Sequence, residues 1–264
     1  MSAFLALTTG VTVDIDDAFV DAELVRALIC SYPPAESSEL HYELAPNRLV
    51  RNGERMDLDD PRDIVPRFEI DLYGQCVARA APGWVLHAAA LAVNGGALVL
   101  CGASGAGKTT LTLALTARGF RMLTEEIVWI DRAGSVRGLP RVMHLPPGAK
   151  RERVTNPWRT LPYRMVTRDG QLTETTIMVP PQSVWHHGSL PLRALVRMDH
   201  GPDWHRHLRT VPRHVALRRL WDGSMRHDDS GLEAAVEVLR EHGSFELAST
   251  TEQEALDLLE PLLK

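Results

Sequence analysis

The spacing of apolar positions along the chain changes several times, and each change predicts an element. Residues 11–15 (VTVDI) alternate like a half-buried strand, and Asp16 or Asp17 can cap a helix carrying Phe19, Val20, Leu24, Leu28 and Ile29. Tyr32-Pro33-Pro34 ends that helix, and the apolar stretches 40–44 and 49–51, followed by Asn52-Gly53, predict a small β element. Asp59 or Asp60 before Pro61 opens a second helix, whose stripe of Ile64, Phe68, Leu72 and Cys76 runs until Ala81-Pro82-Gly83. These elements predict a small N-terminal α+β region over residues 1–80, with a second domain over 81–264.

The second domain opens with the longest apolar strand pattern, WVLHAAALAV at 84–93, joined by Asn94-Gly95 to a second apolar strand at 97–101. A two-residue Asn-Gly turn makes this pair antiparallel. A helical pattern follows with Leu111, Leu113, Ala114 and Leu115, closed at Arg118-Gly119, and then a strand at 127–130. Residues 146–170 are rich in Pro, Arg and Thr without periodicity and read as a long surface loop. Strands are predicted at 176–179 and 192–198, and helices at 215–220, 231–242 and 251–262.

Composition narrows the function classes. A net charge of -5 over 264 residues gives no electrostatic footprint for nucleic acid. Cys30, Cys76 and Cys101 lie in separate apolar stretches and read as reduced core thiols, and no apolar run approaches the length of a membrane span, so a cytoplasmic protein is expected. His186, His187, His200, His205 and His207 are a local excess, but their spacing with Asp199 fits no defined metal pattern.

Between the strand at 97–101 and the next helix stand Gly102, Ala103, Ser104, Gly105, Ala106, Gly107, Lys108 and Thr109, with Thr110 after them. This is a complete G-x-x-x-x-G-K-T pattern. Glycines in such a loop let backbone N–H groups close round phosphate oxygens, and the helix start adds its positive dipole end. Lys108 is placed to reach the β- and γ-phosphates of ATP, and Thr109 to offer its hydroxyl to Mg²⁺. Thr124 then leads into Glu125-Glu126 at a strand edge, two carboxylates of the type that Mg²⁺ coordination and proton abstraction require. Arg141 is the arginine read as facing phosphate or substrate.

Taken together, the stretch LHAAALAVNGGALVLCGASGAGKTTLTLALTARGFRMLTEEIVWID resembles the HPr kinase/phosphorylase family, above all its smaller kinase-like relatives. The resemblance covers residues 85–141, with histidine, glycine-rich loop and acidic pair in the family's order and spacing. It implies an α/β fold with a P-loop core of mixed sheets and flanking helices, related to that of ATP-dependent phosphoenolpyruvate carboxykinases. It also implies roles: Glu125 as general base on a hydroxyl, His87 as its support, Glu126 with Thr109 on Mg²⁺, and Lys108 on the transferred phosphate. This chain departs from the family in carrying two glutamates where the family has two aspartates. It also lacks a recognisable copy of the family's later signature segment.

The glycine-rich loop and acidic pair together with this resemblance predict an ATP- and Mg²⁺-dependent kinase acting on a hydroxyl, serine or threonine, of a protein or peptide, and the resemblance alone implies a ribosomal peptide as one acceptor. Homo-oligomerisation is left open. Two further readings stand beside it: a small-molecule kinase with Arg137 and Arg141 lining an anion pocket, and a nucleotide-binding regulatory protein without catalysis.

Overall fold

The computed structural model describes residues 2–16, 18–19, 21–58, 60–145, 158–166, 172–199 and 206–264. The chain is a mixed α/β protein that divides into two units, one of Met1–Ala80 with Arg141–Gln182 and one of Ala81–Pro140 with Ser183–Lys264.

In the first unit, β1 (Ser2–Ala6), β2 (Thr9–Ile15), β3 (Leu40–Ala45), β4 (Arg48–Arg51) and β5 (Glu54–Asp57) form one sheet in that order. Each neighbouring pair is antiparallel except β2 and β3, which run parallel and are joined through α1 (Ala22–Ile29). Asn52 (φ 47°) and Gly53 (φ 82°) make the tight turn expected of them, pairing Arg51 with Glu54. The helix start differs from expectation. Asp16 accepts the N–H of Ala18 at 2.8 Å, and α1 begins six residues later, so Phe19 is buried ahead of the helix and not on it. Asp17, Val20 and Asp59 lie outside the described residues. Asp60 accepts the N–H of Arg62 in a 3₁₀ turn that leads into α2 (Ile64–Ala78), whose Phe68 meets Tyr42 edge to face at 5.1 Å.

The reading of 146–170 as loop is overturned in part. Arg159–Val166 is a strand, β12, paired along its whole length with β13 (Leu172–Val179), and β13 also pairs with β11 (Met143–Leu145). Pro162 and two arginines conceal the alternation of Leu161, Tyr163 and Met165. As the edge of the order β11-β13-β12, this strand accommodates its proline. Its hydrogen bonds come from a partner that no local pattern reveals. Residues 146–157 and 167–170 lie outside the described residues.

This small sheet also changes the expected domain plan, because 141–182 interrupts the run 81–264 and clusters with the first unit. The reason is a buried carboxylate. Glu69 on α2 is 3% exposed and is met by Tyr73 Oη at 2.9 Å, Arg141 Nε at 3.2 Å, His144 Nε2 at 2.9 Å and the Tyr163 hydroxyl. A charge at that depth is stable only if surrounded by such donors.

The second unit is built on one sheet with the order β10-β9-β6-β7-β14-β16-β15. Its strands are β6 (Trp84–Val93), β7 (Gly96–Cys101), β8 (Arg121–Thr124), β9 (Ile127–Ile130), β10 (Ser135–Gly138), β14 (Leu190–Asp199), β15 (His207–Thr210) and β16 (Phe245–Ala248). The long strand β6 is antiparallel to β7 through the expected Asn94-Gly95 turn; its first half also pairs with β9 and its second half with β8. On its other side β7 runs parallel to β14, and β14 parallel to β16. All six residues of β7 are buried, as a central strand covered on both faces requires. One face packs Leu98, Leu100, Ala194 and Val196 against α3 (Lys108–Ala117) and α6 (Glu252–Leu263). The other packs Val99, Cys101 and Leu195 against α4 (Arg213–Trp221) and α5 (Asp229–His242). No helix among the described residues is long and apolar enough to cross a membrane.

Candidate functional site

At the end of β7 the chain enters the glycine-rich loop. Gly102, at φ 154°, could not carry a side chain: a Cβ there would stand 2.8 Å from the carbonyl oxygen of Met198. Gly105 and Gly107 take φ 81° and 87°, the left-handed values that glycine adopts without strain. The residue types read from the sequence are thus demanded by the backbone itself.

Lys108 opens α3 and folds back over the loop, donating from Nζ to the carbonyls of Gly102 at 2.8 Å and Ala103 at 3.3 Å. Burial pulls its pKa below the ordinary lysine value, while Glu126, Cys101 and Glu125 pull the other way. Both acidic side chains therefore act electrostatically on this ammonium. The hydroxyl of Thr109, one residue on, donates to Oε1 of Glu125. Glu125 is 7% exposed.

The two glutamates occupy the corner between β8 and β9, and a residue without a predicted role fixes that corner. The buried hydroxyl of Thr124 donates to the carbonyl of Leu139 at 2.7 Å and accepts the N–H groups of Glu126 at 3.1 Å and Ile127 at 3.2 Å. A threonine directly before an acidic pair at a strand end is the one local signal that could have marked it. The carbonyl of Glu126 in turn accepts the N–H of Ala88 at 3.0 Å, tying the corner to β6. Beside that bond, Nε2 of His87 lies 3.2 Å from Oε1 of Glu126. The backbone of His87 is held on its far side by the carbonyl of Gly223 at 2.9 Å.

His87, Lys108, Thr109, Glu125 and Glu126, separated by up to 39 positions in the chain, are joined by these contacts into one cluster at the end of β7. Arg141, the remaining predicted residue, belongs to the first unit, where its guanidinium binds Glu69 and lies 4.6 Å over the ring of Tyr73. In register across the sheet, Arg197 on β14 stands opposite Cys101 and Glu246 opposite Arg197, and the buried Glu246 takes contacts from His207, Arg209 and Arg219. Sequence reading gave Arg197, Glu246, Arg209 and Arg219 no role, since these charges meet only when strands and a helix distant in the chain come together. His207 of the histidine excess is thus engaged with Glu246, whereas His200 and His205 lie outside the described residues.

Chemically, the cluster offers a cation at the loop, a hydroxyl and a carboxylate joined by a hydrogen bond, and a second carboxylate next to an imidazole. The hydroxyl–carboxylate pair presents oxygen donors only, which suits a hard divalent cation. Among the described residues no group of three or more His, Cys, Asp or Glu is placed to hold a metal ion. A site with one or two protein oxygens fits Mg²⁺, which completes its shell with water and phosphate oxygens. Compared with protein-family models and with curated proteins, the chain matches none.

Proposed function

We propose that this chain is a phosphotransferase with an HPr kinase-like P-loop core, moving the γ-phosphate of ATP, in the presence of Mg²⁺, to a serine or threonine hydroxyl of a protein or peptide. The observation that carries this reading is the cluster itself: Thr109 bonded to Glu125, and His87 3.2 Å from Glu126, with both carboxylates acting electrostatically on the Lys108 ammonium. A glycine-rich loop alone would support nucleotide binding and nothing more.

In this reading the loop's backbone N–H groups and the N-terminus of α3 hold the phosphates. Lys108 exchanges its loop carbonyl partners for phosphate oxygens and neutralises charge growing on the transferred group. Thr109 and a carboxylate would hold Mg²⁺, which when bound would supply neutralisation of phosphate charge. The remaining carboxylate accepts the hydroxyl proton of the acceptor as its oxygen attacks. The small-molecule reading draws no support from Arg141, whose guanidinium is engaged with Glu69 and Tyr73.

The test is transfer of label from γ-labelled ATP to hydroxyl-bearing peptides or to products of neighbouring genes, with slow ATP hydrolysis as the baseline. Mg²⁺-dependent release or transfer that disappears in Lys108→Ala supports the reading. Nucleotide binding without either activity in wild type overturns it in favour of a regulatory protein.

A further inference from the structure

We infer that the basic stretch running through β15 and α4 docks an acidic segment of the peptide acceptor, with Arg209 and Arg219 as its principal contacts. This rests on the phosphotransferase reading and deepens it by naming the acceptor's chemical class, a polypeptide with several Asp or Glu residues near the hydroxyl.

Residues 206–219, RHLRTVPRHVALRR, hold five arginines and two histidines and no acid, in a chain whose net charge is -5. Among the described residues, two carboxylates meet these arginines: Asp257 lies 3.6 Å from Arg206, and the buried Glu246 is shared by Arg209 and Arg219. Arg213 donates to the carbonyl of Arg240, and Arg218 is exposed. Positive charge therefore outnumbers negative along this stretch, and the remainder of the chain is the more acidic. At physiological salt, exposed charges are screened beyond about 8 Å, so a short acidic segment on this stretch feels its arginines and not the distant acids. A long polyanion such as nucleic acid would also run over the acidic remainder.

Glu246 gives this charge a shape. It is fully buried, and Arg209 reaches its Oε1 from Nε at 3.1 Å and Nη2 at 2.5 Å, while Nη1 of Arg219 donates to Oε2. Arg197 adds a third guanidinium, 3.8 Å from Oε2. One carboxylate thus holds guanidinium groups of β14, β15 and α4 in place, which lowers the ordering cost of an arginine when a ligand arrives. Donors remain. The side chain of Arg209 is 60% exposed and that of Arg219 38%. Neither Nη1 of Arg209 nor Nε and Nη2 of Arg219 makes a hydrogen bond among the described residues. The planar fork of a guanidinium fits a carboxylate.

Strand register ties this surface to the glycine-rich loop. Cys101, Arg197, Glu246 and Arg209 stand opposite one another across β7, β14, β16 and β15, forming one row on one face of the sheet. Cys101 is the last residue before the loop, and Lys108 and Arg197 both draw its thiol pKa down against the effect of burial. At about 4.8 Å per strand, the three steps from Cys101 to Arg209 span roughly 14 Å. An extended peptide covers that distance with about four residues. An acceptor with its hydroxyl at the loop brings acids about four to six positions away onto Arg209 and Arg219.

Fluorescence anisotropy with a labelled hexaglutamate peptide, its hexaglutamine counterpart and single-stranded DNA of the same charge tests the surface without reference to activity. Wild type is expected to bind the glutamate peptide at least about tenfold more tightly than the glutamine peptide, less so as salt rises. Arg209→Gln, which keeps an N–H donor for Glu246, should lose about tenfold of that affinity, the low end for hydrogen bonds to a charged group. Arg218→Glu, a charge reversal on an exposed side chain outside the Glu246 contacts, should also weaken it and carries the test if Arg209→Gln fails to fold by circular dichroism. Serine peptides with glutamates four to six positions from the serine should be phosphorylated with higher kcat/KM than their glutamine counterparts, a preference that Arg209→Gln removes while peptide-independent ATP hydrolysis stays unchanged. Equal binding of the two peptides, tighter binding of the DNA, or wild-type affinity in both variants overturns the docking surface, and transfer to serine peptides would then still uphold the phosphotransferase reading. Arginine-dependent binding of the glutamate peptide with neither transfer nor ATP hydrolysis overturns the phosphotransferase reading and leaves a surface for an acidic partner on a regulatory protein.

Discussion

Gly138 and Thr124 interlock: a Cβ on Gly138 would stand 2.8 Å from Cβ of Thr124 and 2.4 Å from the carbonyl oxygen of Leu123. β10 can approach β8 this closely only because position 138 has no side chain. The contact holds the end of β8 in place just before the two glutamates turn away from it. Gly138→Ala should therefore force backbone apart and cost about 1–3 kcal/mol, the usual scale of overpacking. A lowered urea midpoint followed by tryptophan fluorescence would register it, and an unchanged midpoint would count against the interlock.

Thr124→Val tests the other half of the same corner. It keeps the shape of the side chain and removes the hydroxyl, leaving the Glu126 and Ile127 N–H groups and the Leu139 carbonyl without that partner. The expected loss is about 1–3 kcal/mol of stability. ATP hydrolysis should fall further than stability alone explains, because the carboxylate of Glu126 is aimed by this turn.

Lys108→Ala should weaken ATP binding by about ten- to a hundredfold, the range given by about 1.5–3 kcal/mol for a hydrogen bond to a charged group. Its side chain is buried, but its ammonium donates to the loop carbonyls of Gly102 and Ala103 and fills no apolar core position, so the fold should persist. Calorimetry with MgATP measures the first effect, and circular dichroism checks the second.

Glu69 governs the acid stability of the first unit. Burial alone would raise its carboxyl pKa, but Arg141 and His144 beside it, with hydrogen bonds from His144 and Tyr163, hold it well below the usual carboxylate range. Because the folded value lies below the unfolded one of 4.5, its contribution is present above about pH 4.5 and is lost as pH falls through the folded value. Glu69→Gln should destabilise the protein by about 3–5 kcal/mol at pH 7, since the buried carboxylate that Arg141, His144 and Tyr163 surround loses its charge. The mutant's stability should also vary less than wild type's below pH 4.5. Denaturant titrations at pH 7 and pH 4 give both quantities.

The three thiols should separate by reactivity. Burial pushes Cys76 and Cys101 up to about 12, so at pH 8 neither supplies the thiolate that attacks a disulfide reagent. Cys30 is raised too, chiefly by burial, but its residue is exposed. One thiol should react in the native protein and all three in denaturant. Rapid native labelling of Cys101 would show that the strand feeding the loop opens readily.

The sequence by itself determined the features that depend on near neighbours in the chain. The Asn94-Gly95 turn, the glycines of the 102–109 loop and the helix at 108–117 were legible because each follows from the conformations that a few adjacent residues permit. The residue types of the cluster were legible for a related reason: Lys108, Thr109 and the two glutamates carry chemistry that few other side chains supply. Their pairing was not. Whether Glu125 or Glu126 meets Thr109 depends on how Thr124 and Gly138 set one corner against β6 and α3, over separations that no local pattern encodes. The strand at 159–166 escaped notice for the same reason, as its hydrogen bonds belong to β13. Arg141 is the sharpest case: the sequence reading set it facing phosphate or substrate, and only the tertiary structure shows its guanidinium meeting the buried Glu69 within the first unit. Short-range conformational preference is written residue by residue, but strand pairing and the neutralisation of buried charge are decided only when distant segments meet.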